Sequence, residues 1–184
     1  FIVLVVFFYK RFIHNSLASS AIHDSLTGVF NKGYFSQYLD YEIALAVRKS
    51  RPFSLIMLDI DHFKHVNDTY GHRRGDYALK ALTEAVIKTK RNADVLARIG
   101  GEEFIILLPD TRLPDANRLA ERVRAYVEAF PFEEIGKMTI SLGVTEFTMK
   151  DDQESILKRV DTALYLAKEN GRNRCEVLGG EIYE

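Results

Sequence analysis

The chain has 184 residues, enough for one domain and an appendage, and its 47% hydrophobic content suffices to bury a core. With 25 Lys and Arg against 26 Asp and Glu, the whole-chain charge excludes the electrostatic footprint of a DNA or RNA binder. A single cysteine, Cys175, excludes an internal disulfide and any Cys-rich zinc spacing, and fits a reducing compartment.

Residues 1–8 are all apolar and are followed by Tyr9, Lys10 and Arg11. A bilayer span needs roughly 20 apolar residues, so the run reads as an edge strand, a signal-peptide core or the tail of a spanning helix. Signal peptides carry their basic residues before the apolar run. Here they come after it, which favours the tail of a span with Lys10 and Arg11 on its cytoplasmic flank. Ile13, Leu17 and Ala21, four apart, continue it as a linker helix or short coiled coil. The expected organisation is a membrane-helix tail and linker over 1–23 and a folded domain over 24–184, facing the cytoplasm.

In "HDSLTGVFN", Asp24 and Thr27 can bond nearby backbone amides and Gly28 permits a turn. Phe35, Leu39, Ile43, Ala46 and Val47 recur at helical spacing, and "SRP" ends that helix. "FSLIMLDI", 53–60, is a buried strand by its bounded apolar run. Residues 75–90 are a predicted helix with Asp76 as N-cap and Ala78, Leu79, Leu82, Ala85 and Val86 on one face. "DVLARI" and "FIILLP" are strands joined through residues 100–103 as a hairpin. An amphipathic helix over 114–130, a strand over 138–147, a helix over 153–170 stopped by Gly171 and a strand over 174–178 complete the chain. Adjacent hairpin strands with long crossovers predict an α+β sheet layered with helices, not a doubly wound parallel sheet.

Two acidic groups interrupt the apolar strands. Asp59 and Asp61 lie two apart at a strand end, and burying them is costly unless a cation or donors satisfy them; the plain alternative is that the strand has ended and both are solvated. Glu102 and Glu103 follow Gly100 and Gly101 at the hairpin tip, where the plain alternative is a wet turn. Together the two places can gather acidic oxygens around one point, which suits magnesium completed by substrate phosphates, and glycines let a nucleotide approach the backbone. His62, His65 and His72 admit zinc, but imidazoles in a polar loop are more often solvated.

"HDSLTGVFN", "LDIDHFKHVNDTYGHRRGD", "ARIGGEEF", "TISLGV" and "DTALYLAKENGRNR", in this order, resemble the successive motifs of the GGDEF family of diguanylate cyclases, over roughly residues 24–178. The resemblance implies a palm-like domain with a central, mostly antiparallel five-stranded sheet surrounded by helices. It also implies condensation of two GTP into cyclic di-GMP with release of two pyrophosphates.

By the same resemblance, Asp59, Glu102, Glu103 and the backbone carbonyl of Ile60 bind Mg2+, for which Mn2+ is a possible substitute. Either glutamate can take the hydroxyl proton, Glu102 first. The family name has Asp where Glu102 stands, and GGEEF is itself a common active form. Asn67 and Asp76 match the guanine readers, Gly100 and Gly101 the nucleotide turn, and Lys64, Lys168 and Arg172 positions near the phosphates. On spacing alone, Asp76 reads equally as an N-cap, and Lys168 and Arg172 as cations at a helix C-terminus. Arg91 and Asp94, by spacing a surface ion pair, match the family's inhibitory Arg-x-x-Asp site for the cyclic di-GMP product. The implied partners are GTP, the product as inhibitor, a second copy in a catalytic homodimer, and an upstream sensory and membrane region. The alternatives are a catalytically silent module binding GTP or cyclic di-GMP, another palm-fold nucleotidyl enzyme, and a structural partner that leaves the acidic hairpin unexplained.

Overall fold

Eight consecutive buried residues, Phe53–Ile60, form the central strand β2, and their continuous burial follows from helices covering both faces of the sheet. A computed structural model describes residues 22–133 and 135–180. The expected membrane-helix tail and most of the linker fall on residues 1–21, outside the described residues. Among those described, no helix is long and apolar enough to cross a membrane.

In chain order the elements are β1 (Phe30–Asn31), α1 (Lys32–Lys49), β2, α2 (Phe63–Tyr70), α3 (His72–Thr89), β3 (Val95–Arg98), β4 (Glu103–Pro109), α4 (Leu113–Ala129), β5 (Ile140–Glu146), α5 (Gln153–Glu169) and β6 (Cys175–Val177). The sheet order is β1-β3-β4-β2-β5-β6. The three inner pairings are antiparallel, and only the short edge strands β1 and β6 run parallel to their neighbours. The mostly antiparallel α+β sheet is as expected, with six strands in place of five. The added strand, β1, has two residues, too few to register as an alternating pattern.

Strand alternation divides the core. Ile56, Leu58 and Ile60 of β2 face α3 and α4, where they meet Leu82, Val86, Leu119 and Val123. Phe53, Leu55 and Met57 face the opposite way, onto Phe35 and Leu39 of α1 and Val160 and Leu164 of α5.

The helix starts explain two departures from the sequence reading. Gly71, at φ 81°, closes α2 and opens α3, so α3 begins four residues before Asp76 and that residue lies inside the helix instead of capping it. The short helix α2, unexpected from sequence, is set off from β2 by a turn in which His62 takes φ 57°. By contrast α5 starts where expected, closed by a capping box of Asp152 and Ser155.

Candidate active site

β2 and β4 run antiparallel with Asp59 opposite Glu103, so both carboxylates leave the sheet on the face covered by α1 and α5. On the other side of β2, Ser141 lies opposite Asp59 and Gly143 opposite Met57. A Cβ on Gly143 would sit 2.3 Å from the Leu164 nitrogen and 2.4 Å from the Val160 oxygen, so only glycine lets α5 lie flush on the sheet. That close packing brings Lys168, in the last turn of α5, over the strand end, with its Nζ 3.0 Å from Asp59 Oδ2.

Asp59 is 6% exposed. Burial pushes its carboxyl up to about 6; Lys168 pulls against that through its hydrogen bond and charge, and the charges of Glu102 and Glu103 push with it. A buried carboxylate crowded by two others and balanced by one ammonium is a site short of positive charge, and a hard divalent cation with oxygen ligands fits it. Among the described residues no three His, Cys, Asp or Glu side chains already converge as a metal cage. Magnesium does not need one, because it uses one or two carboxylates and fills its shell with water and substrate phosphates. Ile60 ends β2, which puts its carbonyl at the same corner.

Asp61 is equally buried at 6% but fully occupied. Its oxygens accept from Thr139 Oγ1 at 2.7 Å, Ser141 Oγ at 2.6 Å and the Asn173 N–H at 3.0 Å, while its own N–H donates to the Thr139 carbonyl at 3.0 Å. The two aspartates are therefore neither solvated nor alike: Asp61, in the turn after β2, ties the strand end to β5 and to the loop after α5.

The hairpin tip is shaped by its own side chains. A Cβ on Gly100 would meet Glu103 Oε2 at 2.3 Å, whereas one on Gly101 would meet nothing within 4 Å. Gly100 makes room for the glutamate, and Gly101 leaves open space above the turn. Arg98 braces the tip: its Nε and Nη2 donate to the Gly101 carbonyl at 3.2 and 2.7 Å, and its Nη1 donates to Asp24 Oδ1 at 3.1 Å. Asp24 also accepts from the Thr27 N–H and hydroxyl, so the turn read from sequence is tied directly to the acidic hairpin.

Beyond the end of β2, Asn67 of α2 lies against α3. A Cβ on Gly75 would come within 2.0 Å of Asn67 Oδ1, so the glycine admits the Asn67 amide beside the backbone that carries Asp76. Asp76 is exposed, and with its capping role gone the carboxylate stays available. Lys64 is exposed in the first turn of α2, as are His62, His65 and His72 nearby. Arg172 lies beyond the end of α5 at φ 64°, its N–H donating to the Ala167 carbonyl at 3.0 Å.

Arg91 and Asp94 also depart from the surface-pair expectation. Asp94 is buried and accepts the Arg91 N–H at 2.7 Å, forming a side-chain-closed turn. Both line a cavity of about 140 Å³ with Arg118 and Arg122 of α4, Asp115 and Thr111. Arg118 pairs with Asp115, and Arg122 donates to the Thr89 carbonyl at 2.7 Å. The α4 arginines were not singled out from sequence; four apart on one helix, their shared face was the available signal.

The model of the diguanylate cyclase GGDEF domain matches residues 21–174, and the chain belongs to that family. It is 44% identical over 160 residues to the diguanylate cyclase DgcP of Pseudomonas aeruginosa, covering 85% of this chain but 24% of that protein's length. The coiled coil and GGDEF domain of DgcB from Caulobacter crescentus, solved with c-di-GMP, superposes with TM-score 0.89 at 29% identity, covering 95% of both chains. The active GGEEF domain of a diguanylate cyclase from Vibrio cholerae has TM-score 0.77 at 38% identity, covering 80% of this chain and 96% of that one.

Proposed function

We propose that this chain condenses two GTP molecules into cyclic di-GMP, releasing two pyrophosphates. The observation that carries the reading is the strand-end corner, where buried Asp59 meets Lys168 and the charges of Glu102 and Glu103. Asp59, Glu102, Glu103 and the Ile60 carbonyl are the residues that would hold Mg2+, or Mn2+ in its place. When bound, the metal supplies neutralising charge at the triphosphate and favours the deprotonated hydroxyl nucleophile.

The remaining steps belong to the chain's own groups. Glu102 accepts the proton of the attacking 3′-hydroxyl. Lys64, Lys168 and Arg172 donate charge-assisted hydrogen bonds to phosphate oxygens. Asp76 accepts together from guanine N1–H and the 2-amino group, with Asn67 beside it, and adenine offers no such pair of donors. ATP would leave that carboxylate without its two donors and is rejected accordingly. Gly100 and Gly101 give the nucleotide access to backbone.

Each domain holds one GTP, and two domains meet about a two-fold axis so that each hydroxyl addresses the other's α-phosphate. Product binds in the cavity of Arg91, Asp94, Arg118 and Arg122, where guanidinium forks suit phosphates and guanine edges, and feeds back on the rate. Residues 1–23 link this catalytic unit, 24–184, to a membrane region, with the domain on the cytoplasmic face of the bacterial inner membrane; the apolar run ahead of Lys10 and Arg11 supports this.

Incubation with GTP and Mg2+ followed by mass analysis tests the activity. Cyclic di-GMP is the expected product, at a specific activity that rises with protein concentration. Bound but unconverted GTP would instead mark a silent binding module.

A further inference from the structure

The loop between α5 and β6 holds three successive residues at positive φ: Gly171 at 113°, Arg172 at 64° and Asn173 at 47°. Two of them carry side chains, which disfavour this region, although Asn tolerates it better than most. Such a conformation persists only where its surroundings over-determine it, and here they do so through Asn173. Its backbone N–H donates to Asp61 Oδ2 at 3.0 Å, its Nδ2 donates to Glu128 Oε1 at 2.8 Å, and its Oδ1 accepts from Arg124 Nη1 at 3.0 Å. Arg124 is itself held on α4 by Glu121 at 2.9 Å and Glu128 at 2.8 Å, and the two carboxylates raise its pKa further.

We infer that Asn173 is a positioning residue for this chemistry, holding Arg172 at the triphosphate, and that Arg124 on α4 is its outer brace. The inference rests on the phosphate role proposed for Arg172. The bracket has two fixed ends: Asp61, two residues from Asp59, and α4, whose Arg118 and Arg122 wall the arginine cavity. It therefore sets the phosphate loop against the acidic corner and makes one helix the support of both loop and cavity.

The test uses 3′-deoxy-GTP, which lacks the attacking hydroxyl, and GMP, which lacks the outer phosphates, titrated calorimetrically into the parent protein and variants. Asn173→Ala is expected to weaken 3′-deoxy-GTP about tenfold, as Arg172→Ala does, because one charge-assisted contact is lost, while GMP changes less than about twofold. The double variant is expected to bind 3′-deoxy-GTP no more weakly than Arg172→Ala, since both changes remove one interaction. Arg124→Gln, which reaches Arg172 only through Asn173, is expected to give a smaller loss in the same pattern, and carries the comparison if Asn173→Ala does not fold. Equal weakening of both nucleotides, or losses that add in the double variant, overturns the positioning role. A parent-like affinity in Arg172→Ala overturns instead the phosphate role on which it rests.

Discussion

Asp59 and Asp61 stand two residues apart, are equally buried, and do opposite things. Asp61 has three donors on its carboxylate and behaves as a structural knot. Asp59 has a lysine at 3.0 Å and two acidic neighbours, and its carboxyl is driven up to about 6. Burial alone does not mark a functional acid. What separates the two is whether the fold has already supplied the donors.

That contrast can be broken by substitution. Asp59→Asn is expected to lower cyclase activity by about 10³-fold or more, by analogy with removal of a central electrostatic group, while far-UV circular dichroism and thermal melting show a fold at least as stable as the parent's. Asp61→Ala is expected to do the reverse in kind, costing about 2–4 kcal/mol in urea unfolding because it strips hydrogen bonds to a charged acceptor.

The pH dependence sharpens the same contrast. In metal-free protein burial pushes the folded Asp59 carboxyl up to about 6 against 3.8 unfolded, so between those values the folded state holds more protons than the unfolded one. Asp59 therefore makes stability fall as pH rises through that window, by on the order of 2–3 kcal/mol. Denaturation midpoints of parent and Asp59→Asn across pH 4 to 6.5 check this: the parent curve should carry the decline and the variant should lack it.

The smallest effects separate the two hairpin glycines. Gly100→Ala should displace Glu103, whose Oε2 would stand 2.3 Å from the new carbon, and reduce turnover by roughly tenfold with little loss of stability. Gly101→Ala meets nothing within 4 Å and should leave the melting temperature unchanged, showing itself only as a raised KM for GTP.

Much of this was legible in the sequence because the signals were long or local. The buried run 53–60, the hairpin around Gly100 and Gly101, and the apolar stripe of α3 each declare themselves within a single window. β1 escaped because two residues carry no period, and α2 because its eight residues include only two buried ones, Phe63 and Val66. Asp76 looks like a cap in the sequence because the apolar face of α3 begins only at Ala78, although the helix starts a turn before Asp76, at His72. The site was legible as motif residues, but its convergence was not. Lys168 on Asp59, Arg98 bridging Asp24 to Gly101, and the α4 arginines beside Arg91 and Asp94 depend on how separate elements pack. Gly143, whose missing side chain seats α5, gave no sequence hint of that role.

The most direct measurement is a crystal structure of the protein grown with Mn2+ and 3′-deoxy-GTP, with anomalous scattering recorded to locate the metal. The expected result is Mn2+ bound by Asp59 and the adjacent glutamates, with Lys168 turned from Asp59 to the phosphates. Nucleotide bound elsewhere, with the Lys168–Asp59 pair intact and no metal at the strand end, would contradict it.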